Sequence, residues 1–412
     1  MTLLRNVDIA AQDSMSIDAF GRWRVSSPYT IFDSKQIFDN QPRFWDDQQI
    51  SGAATSSTYS QPFARSRMLV AANTAGNRTR QTFMRFNYQP GKSQLVLMTW
   101  RLSLFPSGIT ASVGLFDSAN GIFFSMIDGV MNAVIRSSTS GSPDDTAVVQ
   151  TSWNKDTLDG SGPSGVTLDF TKCQISFIDF EWLGVGRVRM GFVIDGLFIV
   201  AHEFLHANSV TGVYMSTPNL PLRYELINDG SAAETTLDHI CSSVISEGGI
   251  ESTGRLLRIS TAGAAMTATT DNVIYAVIGI RLKAAMLGAS VEIVKAQIQI
   301  QTASESGEWT LKFNPTVAST FTYADVTNSS LQSVLGATAN TVTGGDIIAG
   351  GFLSSDAAAG GGKGGMEAHI EDAIRLGSAI DGTPDTMVLC WMPNAGTASH
   401  GIEGSITIRE LS

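Results

Sequence analysis

Apolar and polar residues alternate with a period of two in several separate stretches of this chain. KAQIQIQ at 295–301 and SITIREL at 405–411 show it most cleanly, and such alternation marks a strand with one buried face. Other stretches are short β-branched or aromatic runs closed by turn residues. RQTFMRFNYQPGKSQLVLMTWRLSLF gives two runs around Pro90-Gly91. ASVGLFDSANGIFFSMIDGVMNAVIRSS gives three, punctuated by Asn120-Gly121 and Asp128-Gly129. CQISFIDFEWLG follows, and then GRVRMGFVIDGLFIVAHEFLHA, which turns at Asp195-Gly196. Asn-Gly and Asp-Gly between apolar runs are strong hairpin signals, because a two-residue turn needs φ > 0 at both positions. Segments 123–135 and 192–204 share the order aromatic, Ile-Asp-Gly, apolar run, and are expected to be similar hairpins of one sandwich. Stripes of period 3.6 are scarce. The helix candidates are LDHICSSVI (237–245) and EAHIEDAIRLG (367–377), and each also fits loop or strand.

The pattern divides the chain. At 412 residues it is long enough for two or three domains. With 43% apolar and 16% charged residues it can bury a sizeable core, and its 40 glycines suit an all-β chain with tight turns. Residues 51–250 read as one β domain. A second series, with NVIYAVIGIRLKAA, SVEIVKAQIQIQTA, GEWTLKFNPTV and GSITIREL, occupies 251–412. Inside it, DAAAGGGKGGMEA reads as a mobile loop tip. Residues 1–50 are expected to be an extended N-terminal arm, rich in arginine and aromatics but without a strand meander of its own. Trp23, Phe32, Phe38, Phe44 and Trp45 are costly to leave in water. They either pad the next domain's core or dock on a neighbouring subunit. The second reading assigns Phe20, Arg22, Trp23, Arg24, Tyr29, Phe32, Phe44 and Trp45 to an assembly interface.

Charge and cysteine usage narrow the partners. A net charge of −11 repels a phosphate backbone, so nucleic acid is not an expected partner. Cys173, Cys241 and Cys390 lie far apart with no C-x-x-C spacing, which points to reduced thiols. Acids interrupt the opening MTLLRNVDIAAQDS, so no secretory signal is expected, and the Asn77 and Asn328 glycosylation patterns then read as chance. Arg281 and Lys283 break the longest apolar run, which excludes a helical membrane span there.

One spacing carries enzyme-like information. AHEFLHAN (201–208) contains H-E-x-x-H as His202, Glu203 and His206. On a helix, positions i and i+4 share one face, so two imidazoles can hold one Zn²⁺ with the glutamate as general base. On a strand the same step covers about 13 Å and turns Glu203 to the opposite face. The flanks favour a strand. VRMGFVI and LFIVAHEFLH surround Asp195-Gly196 as a hairpin requires, pairing Ile194 with Leu197, Phe192 with Ile199 and Met190 with Ala201. The expected core face is then Val188, Met190, Phe192, Ile194, Leu197, Ile199, Ala201 and Leu205, with Glu203 near its end. The longer zinc pattern H-E-x-x-H-x-x-G-x-x-H fails at Ser209 and Gly212, leaving only Glu225 as a distal acid, in strand-like PLRYELIND.

The remaining patterns are weaker. GGGKGG (360–365) lacks the first glycine and the hydroxyl residue of a phosphate loop, at Ala357 and Gly364. GSGPSG (160–165) has Val166 where a nucleophile elbow needs glycine. Trp182, Tyr214 and Tyr224 suit either a sugar-binding surface or a sandwich core. Asp117, Asp128 and Asp195 suit Ca²⁺ ligation or ordinary turn chemistry. No catalytic, cofactor-binding or metal residue is assigned, and a zinc hydrolase built on HEFLH stands as the alternative of another class.

Several blocks occur in a familiar order. SIDAFGRWRVSSP, RFNYQPGKSQLVLMT, LFDSANGIFF, VIRSSTSG, FEWLGVGRVRMGFVIDG, HEFLHAN and YMSTPNLPLRYEL together resemble a widespread group of structural proteins from tailed bacteriophages and related environmental viruses. The resemblance covers about residues 15–250, and 251–412 resembles the second β domain found behind it. It implies two β-sandwiches of jelly-roll or concanavalin-like type behind the arm, and a non-enzymatic virion part in a neck, tail, fibre or baseplate position. A capsid decoration protein is the alternative. It implies no catalytic residues and no cofactor, and places HEFLH in a hairpin. Implied partners are other virion proteins, further copies of the chain (a trimer first) and a host-surface glycan or receptor, with no membrane or nucleic acid. An acidic chain without disulfides suits assembly in a host cytoplasm and residence in the virion.

Overall fold

Asp128-Gly129 and Asp195-Gly196 both hold their two residues at positive φ, 50° and 83° in the first and 51° and 82° in the second. That is the type I′ turn, whose twist matches the strands it joins. Ile127 accordingly pairs with Val130, and Ile194 with Leu197. A computed structural model describes residues 27–251, 253–355, 365–369, 375–395 and 400–411.

Among the described residues, the first sandwich contains fifteen strands in chain order. They are β1 (Tyr29–Lys35), β2 (Trp45–Gly52), β3 (Thr55–Ser60), β4 (Arg65–Val70) and β5 (Gly76–Thr82). Then come β6 (Gln94–Leu102), β7 (Ile109–Phe116), β8 (Gly121–Ile127), β9 (Val130–Ser137) and β10 (Asp144–Val149). β11 (Gln174–Phe180), β12 (Val188–Ile194), β13 (Leu197–Phe204), β14 (Leu222–Asn228) and β15 (Thr235–Ser246) complete it. An eight-stranded sheet runs β13-β12-β11-β6-β15-β4-β3 with β1 beside β15, and a seven-stranded sheet runs β10-β9-β8-β7-β14-β5-β2. One core lies between them. Val96, Met98, Trp100 and Phe192 of the first sheet meet Val113, Leu115, Phe124 and Tyr224 of the second.

The second sandwich opens with β16 (Arg255–Ser260), β17 (Met266–Ala268), β18 (Tyr275–Leu282), β19 (Ser290–Ile300) and β20 (Ser306–Phe313). β21 (Thr316–Val317), β22 (Ala324–Asp325), β23 (Leu331–Leu335) and β24 (Val342–Thr343) are short. β25 (Asp346–Ser354), β26 (Gly365–His369), β27 (Thr386–Ala395) and β28 (His400–Leu411) follow. A five-stranded sheet (β16-β28-β19-β26, with β17 on β28) faces a six-stranded one (β22-β23-β18-β27-β20-β25), and β21 pairs only with β24. The alternation of KAQIQIQ is used as expected: Ala296, Ile298 and Ile300 are buried in a core separate from the first. The two sandwiches touch through a few polar contacts. Ile380 N donates to Asp46 Oδ2 (2.8 Å), and Asn219 Nδ2 donates to the Gly288 carbonyl (3.0 Å). Gly377 allows the closest approach, since a Cβ there would lie 1.9 Å from the Phe83 carbonyl oxygen.

Three sequence expectations change. LDHICSSVI is not helical; it lies within β15. A bulge between His239 and Cys241 changes the inward step from two residues to three, and that mixed spacing imitates a helix. Of EAHIEDAIRLG, Glu367–His369 belongs to β26, while 370–374 lies outside the described residues. The described part of the expected arm is sheet: Tyr29 to Lys35 pair with Ser246 to Cys241, and Trp45 to Gly52 pair along β5. The GGGKGG stretch up to Gly364 lies outside the described residues.

Candidate functional site

The H-E-x-x-H stretch is strand, not helix. Met190 pairs with His202 and not with Ala201, because a bulge inserts one residue at that point of β13. The bulge flips the faces beyond it. Ala201 and Phe204 both enter the core, whereas Leu205 is 65% exposed and the hairpin-end Leu197 is 69% exposed. The other expected core positions hold: Val188, Met190 and Phe192 are buried, with Ile194 and Ile199 packed beside them.

Each polar side chain of the motif makes at least one bond within the chain. His202 Nδ1 accepts from Asn154 N (3.2 Å), and Asn154 also bridges the Glu203 main chain, donating to its carbonyl (2.9 Å) and accepting from its amide (3.0 Å). The Glu203 carboxylate, nearly buried, pairs with Lys155 Nζ (2.7 Å) and Arg187 Nη1 (3.2 Å). His206 Nδ1 donates to the Gly186 carbonyl (2.7 Å), and its ring stacks on Tyr214 at 4.1 Å. Burial pushes both imidazoles below the ordinary histidine value, outweighing Glu203 beside His202 and the Gly186 carbonyl at His206. Glu225 is not brought to them. It lies on β14 in the other sheet, where it accepts from Thr79 Oγ1 (3.2 Å). Among the described residues, no three His, Cys, Asp or Glu side chains are grouped to hold a metal ion.

Of the residues expected at an assembly interface, Phe20, Arg22, Trp23 and Arg24 lie outside the described residues. Tyr29 and Phe44 are each about half exposed. Phe32 and Trp45 belong to the chain's own core, so the padding reading holds for them. Phe32 packs on Phe44, Trp45 and Phe86, and Trp45 also covers a buried polar network. Arg80 of β5, fully buried, lies under the Trp45 ring at 5.1 Å. Its guanidinium donates to His239 Nδ1 (3.2 Å), Asp47 Oδ2 (3.1 Å), Gln36 Oε1 (3.2 Å) and the Asn40 carbonyl. His239 Nε2 meets Ser242 Oγ (3.1 Å), to which Tyr224 OH also bonds (2.8 Å). Trp45 Nε1 donates to Ser34 Oγ (2.9 Å). Burial holds His239 well below the ordinary histidine value, and the Arg80 charge adds to that; burial also lowers Arg80 itself against the pull of Asp47. No short motif announces this network, because its members come from β1, β2, β5, β14, β15 and the turn at 36–40.

The remaining candidates resolve into structure. Tyr224 and Tyr214 are buried, and Trp182 donates to the Met215 carbonyl (2.9 Å), so the three form no open sugar-stacking face. Asp117 pairs with Arg85 (2.6 Å) and accepts the Ala119 and Asn120 amides. Burial would raise its carboxyl, but those partners hold it below the usual value. Asp128 accepts the Gly108 amide (2.7 Å), and Asp195 sits in its turn. GSGPSG wraps Asp156, whose Oδ2 accepts Ser164 N (2.8 Å). A titratable set that sequence reading missed lies in the second sandwich. Buried His400 sits between Glu305 (2.8 Å) and Asp271 (3.2 Å), and burial raises the Glu305 carboxyl despite the imidazole beside it.

No family model and no curated protein matches the chain. Solved structures resemble it at low similarity. A protein of unknown function from Shewanella oneidensis MR-1 is 9% identical, with a TM-score of 0.35 over 54% of this chain and 88% of its own. A legume lectin-like domain from Entamoeba histolytica is 7% identical, TM-score 0.32, over 52% and 95%. Peanut lectin is 9% identical, TM-score 0.28, over 54% and 98%. The sandwich assignment rests on this chain's own sheet order, and these likenesses add nothing to it about function.

Proposed function

We propose that the chain is a non-enzymatic structural component of a tailed-bacteriophage virion, in a neck, tail, fibre or baseplate position, assembled with further copies of itself and with other virion proteins. The observation that carries this reading is a set of exposed apolar side chains close in sequence to an ion pair between the sandwiches. Arg43 of the first pairs with Asp346 of the second (3.1 Å), and their sequence neighbours Phe44 and Ile347 are both exposed. Phe38, in the turn just before, is 84% exposed. Large apolar side chains left in water are unfavourable on an isolated subunit and suited to one packed in an assembly. The ordered blocks that resemble phage structural proteins support the same reading. So does the use of His202, Glu203 and His206 as structural links, which leaves the one enzyme-like motif tied up in the fold.

The test is direct. Particles from the source are purified, their proteins are identified by mass spectrometry, and an antibody to this chain is followed by electron microscopy. The chain is expected in fixed copy number at one position on the particle. Its absence from washed, intact particles sinks the reading.

A further inference from the structure

The two sandwiches meet where a hairpin of the second lies against the main chain of the first. Residues 377–385 fold back on themselves: Ala379 N donates to the Thr383 carbonyl (2.9 Å), Ser378 bridges to Pro384, and Asp385 N donates to the Gly377 carbonyl (3.0 Å). Two amides of this hairpin cross the seam. Ser378 N donates to the Phe83 carbonyl (3.2 Å). Ile380 N donates to Asp46 Oδ2 (2.8 Å), the oxygen that Gln48 Nε2 also reaches (2.7 Å). At the root of the hairpin Asp385 is 2% exposed, its carboxylate accepting Gly377 N (3.1 Å) and Asn314 Nδ2 (2.8 Å). That carboxylate stands at the seam, since a Cβ on Gly377 would lie 1.9 Å from the Phe83 carbonyl oxygen and 3.2 Å from Asp385 Oδ2.

We propose that this seam is a proton-tightened latch: the sandwiches hold together more firmly when Asp385 carries a proton than when it is ionised. The seam gathers acceptors from both sides, the Phe83 carbonyl and the Asp46 carboxylate from the first sandwich and the Asp385 carboxylate from the second. Among the described residues no cation pairs with either carboxylate, because the cations around them are engaged elsewhere. Beside β2, Arg43 pairs with Asp346 (3.1 Å), Arg78 and Arg80 with Asp47 (2.6 and 3.1 Å), and Arg85 with Asp117 (2.6 Å). In the second sandwich Lys312 donates to the Gly344 carbonyl (3.0 Å), Arg281 to Gln332 (2.8 Å) and Arg375 to Glu292 (2.8 Å). The hairpin's other acid, Asp381, accepts Thr383 N (2.9 Å). A buried carboxylate without a counter-ion is unfavourable when ionised and far less so when protonated. Burial raises the Asp385 carboxyl to about 6 against the bonds from Asn314 and Gly377, and Asp46 across the seam adds to the rise. Parting the sandwiches admits water and returns the group toward its ordinary value, so the closed seam binds the proton more tightly and acid favours closure. With an ordinary aspartate value for the parted seam, the closing constant rises up to about tenfold from pH 8 to pH 5. This goes beyond the virion reading and holds or fails independently of it.

The test is hydrogen exchange of the full chain at pH 5 and pH 8, read by mass spectrometry on peptides spanning 376–384 and corrected for the intrinsic pH dependence of exchange. These amides are expected to be less protected than those of β18 at both pH values, which marks an opening short of unfolding. Their protection is expected to be up to about tenfold greater at pH 5 than at pH 8. Asp385→Asn, which cannot ionise, is expected to remove that difference. Asp46→Asn changes only the far side of the seam, keeps an acceptor oxygen for Ile380 N, and is expected to reduce the difference; it decides the matter should Asp385→Asn fail to fold. Equal protection at the two pH values overturns the proposal, as does protection of 376–384 equal to that of β18. A full wild-type difference retained by folded Asp385→Asn or by Asp46→Asn overturns it too.

Discussion

At the scale of single residues, the chain's chemistry is concentrated in one buried cation. Arg80 is fully buried, and its removal takes a donor from His239 Nδ1 and the Asn40 carbonyl together. Arg80→Met is therefore expected to cost about 3–5 kcal/mol, the range for breaking a buried polar pair from one side, read as a fall in the urea midpoint. His239 supplies a pH dependence. Its folded value lies well below its unfolded value, so the unfolded chain binds the proton first. Stability is full above about pH 6.5 and falls as pH drops below it, by up to about 1.4 kcal/mol per pH unit for this group. His202 and His206 act in the same direction. Asp385 acts oppositely: burial raises it to about 6, so its contribution is present below the ordinary aspartate value and is lost as pH rises through about 6. Urea titrations between pH 7.5 and 5 should show a shallower acid slope for His239→Asn than for wild type, whatever the variant's constant offset. Equal slopes would place the proton uptake elsewhere.

At the scale of elements, the hairpin β12–β13 shows what was legible in the sequence and what was not. Asp195-Gly196 gave the turn type and the first pairs, because turn geometry is local. The shift at Ala201 was illegible, because a bulge depends on what covers the strand edge. There Lys155 and Asp156 both donate to the Ala201 carbonyl (3.1 Å each) from a loop nearly fifty residues earlier. The same blindness made β15 look partly helical and made residues 29–50 look like part of an arm, since β1 pairs with β15 and β2 with β5, beyond the reach of local pattern. Gly191 tests the packing of this hairpin. A Cβ there would sit 2.1 Å from the Ile199 carbonyl oxygen and against the Phe177 ring. Gly191→Ala is expected to lower stability by several kcal/mol, well beyond the roughly 1 kcal/mol of a simple positive-φ glycine such as Gly196. Comparable midpoints for Gly191→Ala and Gly196→Ala would contradict this. Deletion gives a second contrast. Removing 1–50 takes away β1 and Trp45 and should abolish the first sandwich's near-UV signal, whereas removing 1–26 should preserve it. Only the shorter deletion can therefore test Trp23 and its neighbours as assembly contacts.

At the scale of the whole molecule, two cores that share no residue predict two calorimetric transitions. Ile298→Ala, in the second core, should cost about 2–5 kcal/mol and move one transition while the other stays; a joint shift would show that the contacts at Asp46, Asn219 and Gly377 fuse the sandwiches into one cooperative unit. The architecture also sets a timetable for synthesis. Tyr29 pairs with Ser246, so the first strand's place in the sheet is made only after 217 further residues have left the ribosome. At about 5–20 residues per second, Phe32 waits roughly ten to forty seconds for the β15 strand it must lie beside. During that interval the nascent chain carries unmatched strands, and a chaperone that shields them has more to do here than in a domain whose first strands pair with their immediate successors.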